Sequence, residues 1–287
     1  MQIGITIPNH WGVTHVHDVL ALAVEAEQLG FDSIWTADHL LNTGKVRERL
    51  DDRPYWHPLG VLSAAAVMTS RVTLGTSVMV LPYHDPVGLA KYAATLDALS
   101  RGRFVLGIGA GGLREEFDAL GVPFRRRGKI TDECIAVMKD LWTSDEPSYR
   151  GGRFAFTELR FSPRCVQRPH VPLWIGGGSA AAITRAARAG DGWHPTQITT
   201  QELARGAASL REQAREAGRD PAAIALAPRM DLDTTSPPDA RSLSAIEAAA
   251  SGFRDAGAVH LLFAMTSDEV AGLREWMRAL AGKLLPA

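Results

Sequence analysis

The chain is short of cysteine, of net charge and of long apolar runs, and each shortage removes a class of protein. Only two of its 287 residues are cysteine, Cys134 and Cys165, and they show no Cys-x-x-Cys spacing. Neither a disulfide framework nor a zinc site is indicated, no metal is expected, and a reducing cytoplasm is the expected setting. Lys and Arg number 31 against 32 Asp and Glu, a formal charge of -1. No global field then draws the chain to nucleic acid or to an anionic membrane, and the expected partner is a small molecule. No apolar stretch approaches the ~20 residues of a membrane-spanning helix. The start, Met1 to Ile7, has neither the basic residues nor the continuous apolar run of a signal peptide. His-Glu-x-x-His, Gly-x-Ser-x-Gly and Walker sequences are also missing, and with them the signatures of metal hydrolysis, serine hydrolysis and P-loop phosphoryl transfer.

What is present is an alternation. Residues 2–7 run with period two into Pro8, and from Thr14, a candidate N-cap, apolar residues recur at helical spacing up to Gly30. The same strand-then-helix rhythm returns at 33–37, at 72–81 and at 104–108. Asp85-Pro86 opens the third helix as a cap followed by proline at the first helical position. Residues 144–171 break the rhythm with Gly151-Gly152 between short β-like runs, which reads as a surface hairpin rather than a domain boundary. Strands at 173–175, 191–193, 224–227 and 259–263 then complete eight units. Eight strictly alternating units imply a parallel sheet closed as a single α/β (β/α)₈ TIM barrel, with 1–287 as one domain. An open doubly wound sheet is the other possibility, but Gly-x-Gly-x-x-Gly is missing after the first strand, where a dinucleotide fold would carry it.

In such a barrel, chemistry sits just past the strand ends. Those positions hold Asn9, His10 and Trp11, then Asp38 and His39, then Pro82, Tyr83 and His84. Asp38-His39 can pair a carboxylate with a proton carrier, or can simply cap a turn and pack. Gly107 to Gly112 leaves backbone N–H groups open to a ring or phosphate, although glycine clusters also make plain turns. Gly176-Gly177-Gly178-Ser179 leads from a strand directly into a helix, whose free N–H groups favour an anion, with Ser179 as cap. Trp11, Trp35, Trp174 and Trp193 lie near strand ends and can wall a pocket for a ring system, core packing being the alternative. The basic run Arg125-Arg126-Arg127 reads as a solvated loop, contact with an acidic cofactor tail being the alternative.

Taken together, Leu29 to His39, Leu74 to Val78, Leu81-Pro82, Leu99 to Phe104, Leu106 to Gly111, Arg114 to Phe117, Gly176 to Ser179 and Gly190 to Trp193 resemble the luciferase-like flavin and deazaflavin oxidoreductases. The branch they are most similar to uses the deazaflavin coenzyme F-420. The resemblance implies hydride transfer between that cofactor and a small organic substrate, the ring lying across the barrel mouth. It places Asp38, Thr76, Ser77, Val78, Gly109, Ala110 and Gly111 around the ring, with a non-proline cis peptide at Ser77-Val78 and the phosphate at Gly176 to Ser179. His39 matches a histidine that removes a hydroxyl proton, and His10, Trp11 and Trp193 are the candidates for the substrate side. Two positions depart from the sugar-phosphate dehydrogenases of this group: Thr43 stands in the region of a tryptophan, and Gly112 replaces an acid. An FMN-dependent monooxygenase and a non-catalytic flavin-binding protein are the alternative activities. The resemblance also suggests a homodimer packed through the helices around 59–70 and 87–99.

Overall fold

Short runs rich in Ile, Leu, Val and aromatic residues form the strands, and each exposes an apolar outer face that the following helix covers. In the computed structural model, which describes residues 1–286, eight strands alternate with eight principal helices. The strands are β1 (Gln2–Thr6), β2 (Ser33–Thr36), β3 (Thr73–Thr76), β4 (Phe104–Gly109), β5 (Leu173–Gly176), β6 (Gly192–His194), β7 (Ala225–Leu226 and Arg229–Leu232) and β8 (His260–Met265). The helices are α1 (Val16–Gln28), α2 (Pro58–Met68), α3 (Pro86–Leu99), α4 (Arg127–Thr143), α5 (Ala180–Ala189), α6 (Thr200–Glu216), α7 (Ala240–Asp255) and α8 (Val270–Leu284).

All barrel pairings are parallel. Ile5 pairs with Ile34, Trp35 with Gly75, Gly75 with Val105, Gly107 with Trp174 and Ile175 with Trp193, and Ile5 also pairs with Phe263 to bring β8 back to β1. β7 closes the ring in two pieces. Ala225 and Leu226 pair with β6, whereas Arg229–Leu232 pair with β8. The strand is therefore longer than residues 224–227 suggest, and it is interrupted at Pro228, which has no N–H to give to a ladder. Among the described residues, no helix is long and apolar enough to cross a membrane.

Caps follow the sequence with one exception. Asp85 accepts from the Gly88 N–H, Ser179 from the Ala182 N–H, and Gly30 takes a φ of +97° after α1. At the start of α1 the N-cap is His15 rather than Thr14, and it makes no side-chain cap bond. The excursion at 144–171 contains the expected hairpin, Tyr149–Arg150 against Ala155–Phe156. Asp97 of α3, fully buried, ties it down by accepting from the N–H groups of Val166 and Gln167. Two stretches that read as loops contain helices, Gly44–Leu50 after β2 and Arg114–Ala119 after β4.

The barrel lumen is aromatic rather than aliphatic. Trp35 is fully buried, stacks on Trp174 at 5.0 Å and on His194 at 5.6 Å, and donates its indole N–H to Ser33 Oγ. Gly75 gives it room, since a Cβ there would lie 2.2 Å from the indole. Trp35→Ala is expected to cost about 3–5 kcal/mol, the range for emptying a large buried aromatic site. Urea unfolding followed by circular dichroism measures this, and a loss below about 1 kcal/mol would mean that the lumen collapses around the gap.

Candidate active site

Two adjoining cavities, of about 770 and 720 Å³, open across the C-terminal ends of the strands. They share Ser77, Val78, Gly111, Gly112 and Arg229 as a common wall, so they form one groove with two ends. At the first end, the β2 terminus delivers Asp38 and His39. His39 Nδ1–H donates to Glu116 Oε2 at 2.5 Å, which leaves Nε2 without a protein partner among the described residues. Glu116 is fully buried, and its other oxygen accepts from the N–H groups of Leu40 and Leu41. One carboxylate thus fixes both the tautomer of His39 and the backbone just beyond it. Tyr83 lies beside this pair, and burial together with the Glu116 charge raises its hydroxyl far above the usual tyrosine range.

Asp38 is nearly as buried. Its Oδ2 accepts from the Val80 N–H at 2.9 Å and from His84 Nε2–H at 2.7 Å, while Oδ1 has no partner. An orphaned buried carboxylate oxygen in a cavity wall is an unmet acceptor, and a bound molecule with a donor would satisfy it. Beside it, the buried His10 donates from Nδ1 to Asn9 Oδ1. Burial, and then the charges of Arg49 and Arg229, hold the His10 imidazole well below its ordinary pKa, so it is neutral at pH 7.

The floor between the two ends is the bulge after β3. The Ser77–Val78 peptide is cis, as the resemblance implies. Val78 and the Thr76 carbonyl push against β4 and β5, and a Cβ would come within 1.8 Å of Thr76 O at Gly107, and within 2.8 Å of a Val78 methyl at Gly109 and Gly176. These three glycines are there for clearance of the bulge. Gly112 differs, because a Cβ there would meet nothing within 4 Å. Ser77 Oγ–H donates to His194 Nε2 at 2.8 Å, and Arg229 reaches Ser77 while pairing with Asp231 at 2.9 Å.

The second end has the features that can take an anion. Gly176, Gly177 and Ser179 lead into the N-terminus of α5, and Gly177 takes a φ of +104° that other residues rarely adopt. Arg125, Arg127 and Arg185 line the same cavity. Arg185 is committed to Asp132, and Arg127 lies 4.0 Å over the Phe124 ring. Two residues of the basic run, Arg125 and Arg127, therefore line the groove, brought there by the turn into α4, whereas Arg126 does not.

Of the expected residues, Asp38, His39, Ser77, Val78, Gly111, His10 and Trp11 line the first cavity, and Gly109, Ala110, Gly176, Gly177 and Ser179 line the second. Three fall elsewhere. Thr76 is fully buried, with its hydroxyl on the Gly107 carbonyl. Gly178 and Trp193 border a separate recess of about 280 Å³, and the buried Trp193 indole donates to Gly177 O beneath the turn. Trp193 supports the glycine turn instead of walling the groove, because on short β6 its side chain points outward toward α6. Trp35 and Trp174 belong to the lumen. Glu116, Arg49, Tyr55 and Arg229 were not singled out from sequence. Glu116 lay within the Arg114 to Phe117 segment that carries the resemblance, and Lys45 and Arg49 are four apart on one helical face, a signal that needed the helix to be recognised.

Residues 1–266 match the family model described as luciferase-like monooxygenase. An uncharacterized protein of Mycobacterium tuberculosis is 34% identical over 173 residues, 60% of this chain and 59% of that protein. The F-420-dependent glucose-6-phosphate dehydrogenase of Amycolatopsis mediterranei is 33% identical over 190 residues, 65% of this chain and 55% of that enzyme. The chain thus spans less than two thirds of the length of either relative. Among solved structures, an F-420-dependent secondary alcohol dehydrogenase in complex with an F-420–acetone adduct superposes with a TM-score of 0.80 at 21% identity, covering 97% of this chain and 98% of that one. At that identity the likeness shows a shared fold.

Proposed function

Since the chain belongs to the luciferase-like monooxygenase family, we propose that it is an oxidoreductase that moves a hydride between coenzyme F-420 and a small organic substrate. The observation that supports this is the groove itself, with a partner-fixed histidine at one end and an arginine-lined helix N-terminus at the other. A ring with an anionic tail fits that layout: Gly176, Gly177, Ser179, Arg125 and Arg127 would hold the tail, and Asp38, Ser77, Val78 and Gly111 would border the ring. The orphaned Asp38 Oδ1 fits the same reading, as an acceptor waiting for a donor. When bound, a deazaflavin supplies a carbon that takes or gives hydride, without ready activation of oxygen.

The residues of the chain do the rest. His39 Nε2 is free to hold or release a proton at a substrate oxygen, and Glu116 stabilises the imidazolium through Nδ1–H. The neutral His10, with Trp11 and Tyr55, encloses the substrate side and limits water.

Calorimetric titration of the purified protein with coenzyme F-420 and, separately, with FMN tests the assignment. F-420 is expected to bind at least tenfold more tightly than FMN. A preference for FMN would move the activity to oxygen insertion, and binding of neither would overturn the reading. In the same assay, replacing both Arg125 and Arg127 by Ala is expected to weaken F-420 about 10- to 100-fold, the scale of losing charge-assisted contacts to an anion. Unchanged affinity would move the tail elsewhere.

A further inference from the structure

The first cavity holds a guanidinium with no carboxylate to answer it. Arg49 lies on the short helix Gly44–Leu50, where Lys45, Val46 and Arg49 turn toward the cavity. Its Nη2 donates to the His10 carbonyl at 2.9 Å, its guanidinium sits 4.2 Å over the Trp11 ring, and its Nε is buried without a partner. Trp11 Nε1 is likewise buried and unpartnered, so both members of the stacked pair carry an unmet donor. The carboxylates of the same cavity are otherwise engaged or at its rim: Asp231 pairs with Arg229, Asp38 serves Val80 and His84, and Glu115 is exposed.

Aromatic contacts connect this cation to the proton-transfer histidine. Tyr55 lies 5.8 Å from His39 and 6.0 Å from His10, and His10 lies 5.7 Å from Trp11. His39 and Arg49 therefore line one cavity and are joined by this chain of aromatic contacts. None of Arg49, Trp11 or Tyr55 lines the arginine-rich groove of the other end.

We propose that the substrate is a carboxylate, its anionic group held by Arg49 while its reacting oxygen faces His39. This rests on the hydride-transfer reading above and names the substrate class for it. One half-buried guanidinium, assisted by the exposed Lys45, matches a single negative charge, and its planar fork matches two carboxylate oxygens. The other two cations of the cavity, Arg114 and Arg229, are paired with Asp118 and Asp231, so a phosphate dianion would have to compete for them. Arg49 thus has two tasks: it keeps Trp11 and the His10 carbonyl in place, and it selects charged over neutral substrates.

The test titrates the wild-type protein, Arg49→Met and Arg49→Lys with pyruvate, levulinate and benzoate, each beside its primary amide, followed by calorimetry. F-420 affinity is measured on all three proteins. For at least one pair, the wild type is expected to favour the acid tenfold or more. Arg49→Met removes that preference while still covering Trp11, and Arg49→Lys keeps part of it. Amides that bind as well as acids in every pair, or a preference that survives in Arg49→Met, would overturn the proposal. The acid-against-amide comparison needs no variant, so a poorly folding Arg49→Met leaves it decisive. F-420 binding without an acid preference removes only the carboxylate site. An acid preference without F-420 binding supports that site and removes the hydride-transfer reading.

Discussion

His39→Ala is expected to leave coenzyme F-420 affinity unchanged and to slow hydride transfer about 10²- to 10⁴-fold, the usual range for losing a positioned acid or base. The expectation follows from the division of labour at the β2 terminus. On the proposed reading the arginine-lined end of the groove would hold the cofactor's tail, and His39 does not line that end, so binding should not depend on the imidazole. Proton movement does, because the pair with Glu116 leaves Nε2 as its free nitrogen. Glu116→Gln separates orientation from chemistry. The amide keeps an acceptor for the Leu40 and Leu41 N–H groups but loses the charge that stabilises an imidazolium. It is expected to slow the same step about tenfold with little change in substrate affinity. Single-turnover absorbance of the bound deazaflavin reads both variants. A wild-type rate in His39→Ala would take the histidine out of the chemistry.

Acid is the second strong lever, and it acts on the lumen. His194 is completely buried, its Nδ1–H on the Ala227 carbonyl and its Nε2 on Ser77, and burial lowers its pKa to about 4, with Arg229 adding to the effect. His260, held between Ser33 and Gln2, is lowered by burial and by His194 to about 3. A folded-state pKa depressed below the unfolded value of about 6.5 means that the unfolded chain takes up the proton first. The stability of the neutral pair is therefore complete above about pH 6.5 and declines as the pH falls toward 4. Each depression corresponds to up to about 3 kcal/mol at pH 4, from about 1.4 kcal/mol per unit. Carboxylates act later. Glu27, despite the opposing cost of its partial burial, is held below its ordinary pKa by the N–H groups of Val72, Arg71 and Ser70, so its contribution is lost only below about pH 4.5. Urea unfolding at pH 7, 6 and 5 isolates the histidines, and a flat profile over that interval would show that they are not buried neutral.

How much of this was legible beforehand differs between fold and site. Strand–helix alternation announced the barrel because most strands are buried on both faces, and their apolar runs stand out between turn residues. Pro228 hid half of β7, since Arg229-Met230-Asp231 beyond it looks polar although Arg229–Leu232 pairs with β8. Asp38, His39, Ser77-Val78 and Ser179 line the groove because position along the chain, at the end of a strand, is what puts them there. Thr76 and Trp193 were misplaced for the complementary reason: one residue along a strand reverses the direction of the side chain, and sequence does not say which face is the groove. Glu116 sits 77 residues from its partner, and Arg49 becomes meaningful only once a seven-residue helix turns it over Trp11. Contacts of that range come from the closed ring and leave no local pattern.

The stacked lumen also gives the protein an optical signature. Trp35 and Trp174 are 5.0 Å apart with their planes inclined by only 26°, close enough for their electronic transitions to couple. The other five tryptophans have no such indole partner among the described residues. A paired ultraviolet dichroic band from these two rings would report the integrity of the barrel interior independently of helix content. It would vanish in Trp174→Phe, and in the wild type its decay with acid would show whether the strands part before the outer helices melt.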